Sequence, residues 1–98
     1  MTLKVEHCKK AMEFFIKFNT GSKAFLAYKE LPGNVLDFQH TVTPQDQQGK
    51  GVARVLFQEG LKYAKENDFK VQPTCWYVAK YLDKASEEEK SLDTRNKL

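Results

Sequence analysis

The stretch QHTVTPQDQQGKGVARVL, residues 39–56, passes from a strand pattern through a polar turn into a helix pattern. Gly49 and Gly51 stand where that helix begins. Glycine lowers helix stability by roughly 1 kcal/mol relative to alanine, so this position must need accessible backbone more than helix propensity. The first N–H groups of a helix lack intrahelical partners and carry partial positive charge, which favours phosphate binding. The stretch therefore predicts a phosphate cradle, with a plain tight turn as the alternative.

Three segments at or before this stretch have the composition of β-strands. Residues 14–18 form a short aromatic run, and residues 24–30 alternate between two faces. Residues 35–43 form the third segment, and Pro44 ends it because proline cannot donate to a sheet ladder. Strict alternation in this segment predicts two faces, one made of Leu36, Phe38, His40 and Val42 and the other of Val35, Asp37, Gln39 and Thr41.

Downstream of Gly51 the apolar residues recur at the spacing of an amphipathic helix, which we expect to end at Asn67-Asp68. A short strand at residues 69–72 follows, and Thr74 is a candidate N-cap for a second helix. A right-handed crossover would make the strand at residues 35–43 parallel to the strand at residues 69–72. The predicted fold is therefore α/β (or α+β), with a mixed sheet in which an antiparallel meander precedes a strand–helix–strand–helix unit.

The length of 98 residues fits one small domain, with a core at about residues 12–84 and a charged tail at residues 85–98. The tail is expected either to extend the second helix or to fray. The net charge of +3, from 16 basic and 13 acidic residues, suits an anionic small ligand and favours nucleic acid only weakly.

Cys8 and Cys75 lie far apart in the sequence, without the spacing of a disulfide framework or a zinc site. We therefore expect free thiols, no metal site and an intracellular location, cytoplasmic or nuclear. No run approaches the ~20 apolar residues that span a bilayer, so no membrane partner is expected. Asn96-Lys97-Leu98 loosely resembles the peroxisomal S-K-L signal, but an asparagine replaces its small first residue.

The glycine loop resembles one known phosphate-binding loop and differs from two others. The P-loop pattern is absent, and Arg54 stands where the third glycine of the dinucleotide fingerprint belongs. Gln48-x-x-Gly51-x-Ala53, in contrast, is similar to the [Q/R]-x-x-G-x-[G/A] loop of the GNAT acetyltransferases. In that superfamily, the backbone amides of the loop hold the pyrophosphate of coenzyme A.

Two further motifs, in the same order, extend this resemblance to about residues 25–84. They are D-x-x-H-T, here Asp37, His40 and Thr41, and C-x-Y-[VI], here Cys75, Tyr77 and Val78. Together with the loop they resemble a family of minimal GNAT acetyltransferases. This chain shares the family's shortness, since it lacks the N-terminal helices that usually help to form an acceptor groove.

The resemblance implies acetyl-CoA or coenzyme A as the cofactor and assigns parts of it to residues of this chain. The pantetheine arm would pair with the backbone of Thr41, Val42 and Thr43 as an added strand. Arg54 and Lys50 would add positive charge, with a plain solvated face as the alternative. Tyr77, Lys80 and Cys75 would lie near the cofactor, with a packing role as the alternative for Tyr77. The phosphates would be held by Gln48, Gly49, Lys50, Gly51, Val52 and Ala53.

Two residues are candidates for catalysis. Cys75, at the start of the second helix, could accept the acetyl group covalently or protonate the departing coenzyme A thiolate. The alternative is a buried, inert cysteine. His40 is a candidate base for an amine acceptor, because histidine is the side chain that changes charge near neutral pH, with a satisfied core histidine as the alternative.

The resemblance implies a minimal N-acetyltransferase that transfers acetyl from acetyl-CoA to an amine acceptor, which is a small molecule, a lysine side chain or a protein N-terminus. The shortness of the chain keeps open a second possibility, a non-catalytic acetyl-CoA or coenzyme A sensor or interaction module. A small RNA-binding domain fits the charges only loosely, because basic residues are interspersed with acidic ones.

Overall fold

The computed structural model describes residues 4–95, which form a five-stranded sheet with its helices in the C-terminal half. A 3₁₀ turn, Gln45–Gln47, precedes the first helix. The strands are β1 Glu6–Cys8, β2 Glu13–Lys17, β3 Lys23–Leu31, β4 Val35–Val42 and β5 Lys70–Gln72. The helices are α1 Val52–Glu66, α2 Trp76–Asp83 and α3 Glu87–Lys90.

The strands lie side by side in chain order. The first four are antiparallel, and β5 runs parallel to β4 after the crossover through α1. The predicted mixed sheet, with a meander before a strand–helix–strand–helix unit, is confirmed. The pattern missed β1, which has three residues and is recognisable as a strand by its pairing with β2.

One face of the sheet packs against α1, and α2 lies beside α1 in the same core. Gly60 lets α1 approach the sheet closely, because a Cβ atom there would lie 2.9 Å from Cζ of Phe38. On the opposite face Phe15 and Phe25 are cross-strand neighbours, and the Lys23 ammonium lies 5.3 Å and 5.4 Å from their ring centroids. Within residues 4–95, no helix is both long and apolar enough to cross a membrane.

A β-bulge in β4 overturns the predicted alternation of that strand. Tyr28 pairs with Phe38, but the preceding residue Ala27 pairs with His40, so Gln39 is an extra residue in β4. Side chains after a bulge change faces. His40 is consequently exposed and does not share the buried face of Phe38.

The same bulge exchanges the faces of the next two residues. Val42 pairs with Phe25 and is 44% exposed, whereas Thr41 pairs with the buried Leu26 and is turned to the helix-covered face. The predicted placement of His40 and Val42 with Leu36 on one apolar face is therefore wrong. A strictly alternating pattern cannot predict a residue that has no partner on the neighbouring strand.

The charged tail folds back onto the sheet. α2 ends at Asp83, Ser86 caps the separate short helix α3 by accepting a hydrogen bond from the N–H of Glu89, and Asp93 then forms a parallel bridge with Val71. The N–H of Val71 donates to the carbonyl of Leu92 at 2.7 Å. The outer edge of β5 is thus covered. Asn96-Lys97-Leu98, with its resemblance to a peroxisomal signal, lies outside the described residues.

Candidate cofactor site

A cavity of about 500 Å³ lies where the C-terminal end of β4 faces the N-terminus of α1. Its wall combines the end of a strand, the glycine loop and the first turn of a helix. The lining residues are Thr41, Val42, Thr43, Gln47, Gln48, Gly49, Gly51, Val52, Ala53, Arg54 and Tyr77. The structure thus brings most of the residues expected at the cofactor together in one cavity, whereas Lys50, Lys80, Cys75 and His40 do not line it.

The two glycines of the loop are required by its backbone. Gly49 has φ 79° and Gly51, the N-cap of α1, has φ 74°. Residues with a side chain adopt this left-handed region at a cost. A Cβ atom at either position would meet no other heavy atom of the described chain within 4 Å, so the surrounding space does not require glycine.

The N-terminus of α1 is open to an anion. Among the described residues, no side chain caps it and no acidic residue occupies its first turn. The first intrahelical bond runs from the N–H of Val55 to the carbonyl of Gly51 at 3.3 Å. The preceding N–H groups therefore point out of a 15-residue helix with its partial positive charge. These amides, lying beside a cavity, fit the diphosphate of coenzyme A.

Side chains fix the loop that leads into α1. The Nε2 atom of Gln48 donates to the carbonyl of Thr43 at 3.3 Å, which links the loop to the end of β4. The carboxylate of Asp46 accepts hydrogen bonds from the hydroxyls of Thr20 at 3.1 Å and Ser22 at 3.4 Å, in the turn between β2 and β3. The hydrogen bond from Gln47 is the largest cause of the lowered pKa of Asp46, and the Thr20 bond adds to it.

β4 and β5 separate beside this cavity. The last residue of β5, Gln72, pairs with Asp37, and the N–H of Cys75 donates to the carbonyl of Phe38 at 2.8 Å. The chain then turns into α2. In residues 4–95, the end of β4 from Thr41 onward consequently has no strand on its β5 side. A free strand edge of this kind can accept an extended ligand as an added strand.

Cys75 lies at this opening. Its Sγ atom is 3.5 Å from the hydroxyl oxygen of Thr41, which lines the cavity, and its side chain is half-buried. The N-cap of α2 is Cys75 rather than the predicted Thr74. The prediction fails because the hydroxyl of Thr74 donates to Asp37 instead of receiving a bond from the helix.

A second cavity, of about 580 Å³, continues from the first along the groove between α1 and α2. Arg54 and Tyr77 line both cavities. Lys80 and Lys84 line the second, together with Tyr81, whose pKa is raised by burial and by the charge of Glu89. Lys84 and Tyr81 are not among the site residues predicted from the sequence, although Tyr77, Tyr81 and Lys84 have the spacing of one helix face.

Comparison with protein families gives a match over most of the chain. The model of the GCN5-related N-acetyltransferases matches residues 13–92. The chain belongs to this family. Acetyltransferases with this fold generally use acetyl-CoA, so membership associates the chain with acyl transfer.

Individual GCN5-related relatives agree with this assignment. Protein NATD1 of Gallus gallus is 35% identical over 81 residues, covering 82% of this chain and 74% of that protein. Protein NATD1 of Homo sapiens is 33% identical over 81 residues, covering 82% and 72%. The resemblance to a minimal GNAT family is thus confirmed.

The fold of this GCN5-related chain also occurs in a solved structure. The solution structure of a GCN5-like protein from Staphylococcus aureus matches with a TM-score of 0.69 and covers 93% of this chain and 87% of that one. The two chains share 20% sequence identity, so this comparison bears on the fold alone.

Proposed function

We propose that this protein binds acetyl-CoA and transfers its acetyl group to an amine. The observation that carries the proposal is the cavity between the free edge of β4 and the uncapped N-terminus of α1. The diphosphate binds the amides between Gln48 and Ala53. The pantetheine arm adds to the backbone of β4 from Thr41 to Thr43. The carbonyl of Thr43 accepts one hydrogen bond from Gln48, which leaves its second lone pair and the other backbone groups of this segment for the arm.

The groove between α1 and α2 suits the nucleotide end of the cofactor. Arg54, Lys80 and Lys84 line it and supply positive charge for the 3′-phosphate. Tyr77 and Tyr81 supply aromatic surface for the adenine ring. Lys50, which lines neither cavity, adds charge at the loop between the two glycines.

Acetyl-CoA supplies an activated acetyl thioester, and this chain supplies two candidate groups for the reaction. The thiol of Cys75 lies next to Thr41 at the opening between the strands, where it can accept the acetyl group or protonate the departing coenzyme A thiolate. His40 acts as the base for an amine that approaches from the face opposite α1. Its exposed position leaves it accessible to solvent for proton exchange.

The acceptor is an amine of a small molecule, of a lysine side chain or of a protein N-terminus. The exposed residues around the cavity, Val42, Trp76 and Tyr77, supply apolar surface to any of them. Because acetyl-CoA is an intracellular metabolite, we infer that the protein acts inside the cell. The proposal includes neither a nucleic acid nor a membrane partner.

Calorimetric titration, or a thermal shift, with acetyl-CoA, coenzyme A and desulfo-coenzyme A tests binding. The thermal shift is expected because a ligand that binds only the folded state raises the free energy of unfolding by about 2.7 kcal/mol at a hundredfold excess over its dissociation constant. The absence of heat at millimolar coenzyme would overturn the proposal. Release of free thiol from acetyl-CoA in the presence of a panel of amines then tests for transfer.

A second candidate is a binding protein that holds acetyl-CoA or coenzyme A without transferring acetyl. The observation that favours it is the position of His40, which the bulge turns to the face opposite the buried core. The candidate base therefore lies on the other face of the sheet from Thr41, the residue that contacts Cys75. Tight binding of acetyl-CoA without amine-dependent release of thiol would select this function over transfer.

A further inference from the structure

A buried carboxylate lies where β4 and β5 separate. Asp37 is 7% exposed and pairs with Gln72, the last residue of β5. Its Oδ1 atom accepts a hydrogen bond from the hydroxyl of Thr74, and its Oδ2 atom accepts one from Nε2 of Gln39 at 3.1 Å. Burial of a carboxylate lowers the stability of the fold unless its oxygens accept hydrogen bonds. The buried position of Asp37 therefore requires the hydrogen bonds from Thr74 and Gln39.

The two partners of Asp37 belong to different sides of the opening. Gln39 is the extra residue of the bulge, and the bulge turns Thr41 to the face where it contacts Cys75. Thr74 belongs to the loop between β5 and α2, which ends at the thiol of Cys75. One carboxylate therefore connects the segment that aims Thr41 to the segment that places Cys75.

The loop has few other attachments to β4. The backbone bond from Cys75 to Phe38, at 2.8 Å, holds its end. The contact between Thr41 and Cys75 involves sulfur, which is a weak donor and a weak acceptor. Without the bond from Thr74 to Asp37, the hydrogen bonds between the loop and β4 in the described residues are those of Cys75 alone, and the spacing between β4 and the start of α2 is then less well defined.

We propose that Asp37 is a positioning residue that sets the opening between β4 and β5 for the thioester end of the cofactor. It acts through Thr74 and Gln39. This inference rests on the proposed function, because the opening receives the pantetheine arm. Its effect should be confined to that arm, since the diphosphate and the nucleotide bind the loop and the groove on the other side of the cavity.

The test compares coenzyme A with 3′-phosphoadenosine 5′-diphosphate, a fragment that lacks the pantetheine arm. The dissociation constant of the fragment divided by that of coenzyme A, both measured by calorimetry, reports the contribution of the arm alone, and a weaker contribution lowers this ratio. The first variant is Thr74→Val, which removes the hydroxyl at an exposed position and keeps the shape of the side chain. The hydroxyl also accepts a hydrogen bond from Nε2 of Gln72 at 3.3 Å, at the exposed end of β5. Coenzyme A should bind about tenfold more weakly, the factor that corresponds to loss of the hydrogen bond to Asp37, with fragment binding unchanged.

Three further variants sharpen the comparison. Thr74→Ser retains the hydroxyl and should restore the wild-type ratio. Asp37→Asn should lower the ratio in the same direction as Thr74→Val. Asp93→Asn is the matched control, because Asp93 is equally buried at 7% and binds Arg95 instead, away from the opening. It should lower stability and leave the ratio unchanged.

The possible failures are distinguishable. If the wild-type protein binds neither coenzyme A nor the fragment, the proposed function is wrong and the role of Asp37 is wrong with it. If the wild type binds both ligands but Thr74→Val and Asp37→Asn keep the wild-type ratio, the positioning role alone is overturned. A parallel loss of affinity for both ligands also overturns it, because a general loss of structure would produce that result.

Discussion

The thiol of Cys75 lies 3.5 Å from the hydroxyl of Thr41, although 34 residues separate them in the sequence. The bulge at Gln39 brings Thr41 to this face, and the loop after β5 brings Cys75 to the same point. Thr41 also lines the cavity at the N-terminus of α1. The contact between Thr41 and Cys75 thus lies where the cavity meets the opening between β4 and β5.

Replacing Cys75 with alanine should reduce turnover and leave binding nearly intact. Loss of a positioned acid or nucleophile lowers kcat by about a hundredfold or more, whereas the diphosphate contacts are untouched. Thiol release under saturating acetyl-CoA and amine gives kcat, and calorimetry gives the affinity. Cys8→Ala is the control, because Cys8 is also half-buried but lies on β1. Unchanged turnover in Cys75→Ala would exclude both catalytic roles.

Replacing Gly51 with alanine should weaken both folding and binding. The residue has φ 74°, a conformation that costs a residue with a side chain about 1–2 kcal/mol, and relief of this strain would turn away the amides of the loop. Denaturant unfolding and calorimetry with acetyl-CoA measure the two effects. Gly33→Ala, at φ 83° in the turn between β3 and β4, should lower stability similarly without loss of affinity. Equal affinities in the two variants would contradict the role of the loop.

Replacing Gly60 with alanine should destabilise the fold even though alanine favours helix. The new Cβ atom would lie 2.9 Å from Cζ of Phe38 and 3.1 Å from Cδ2 of Leu26, and both side chains are fully buried. Overpacking of a core typically costs about 1–3 kcal/mol, against a gain in helix propensity of about 1 kcal/mol. Urea unfolding should show a net loss. Glu59→Ala, at the neighbouring exposed position, is the control, and a gain of stability in Gly60→Ala would refute the close contact.

Protonation of His7 should destabilise the protein as the pH falls. Its Nε2 atom lies 2.6 Å from the hydroxyl of Tyr28, and its ring stacks on Phe14 at 4.1 Å. Burial, and secondly the charge of Lys9, lowers the pKa of His7 below 6.5. Burial also raises the pKa of Tyr28 to about 12, so its hydroxyl keeps its proton and can donate to the neutral imidazole.

The sign of this effect follows from the lowered pKa of His7. The unfolded chain binds the proton more readily, so the stabilisation is present above pH 6.5 and is lost as the pH falls through the pKa of the folded state. Unfolding free energies measured at steps of pH below 6.5 should fall more steeply in the wild type than in His7→Phe. The exposed His40 provides the control variant His40→Gln, which should retain the steep dependence. Parallel curves for His7→Phe and the wild type would contradict the prediction.

The sequence predicts the long elements well because their patterns are periodic. α1 spans Val52–Glu66, close to the predicted helix, and β3 and β4 differ from the predicted strands by one residue or so at their ends. β1 has three residues, too few for a period to be recognised, and it depends on its pairing with β2. The tertiary pairing that creates it is not encoded in local composition.

In the site, too, the features set by neighbouring residues are predictable from the sequence, and the features set by contacts between distant segments are not. The residues between Gln48 and Ala53 are contiguous, so a single motif predicts that they form one loop. The bulge depends on which residue of β3 faces which residue of β4, and this register is not visible in either strand alone. For this reason the pattern assigns His40 to the wrong face. Thr74 has the sequence context of a helix cap, but its hydroxyl donates to Asp37, a contact between distant segments that the local sequence does not show.

The C-terminal segment has a consequence for solubility. Leu92 and Thr94 occupy the hydrogen-bonding groups of Val71, which would otherwise belong to an unpaired margin of the sheet. Exposed margins of this kind recruit other chains and promote aggregation. A protein shortened after Lys84 should therefore self-associate as its concentration rises, so the charged tail protects the molecule from association with its own copies.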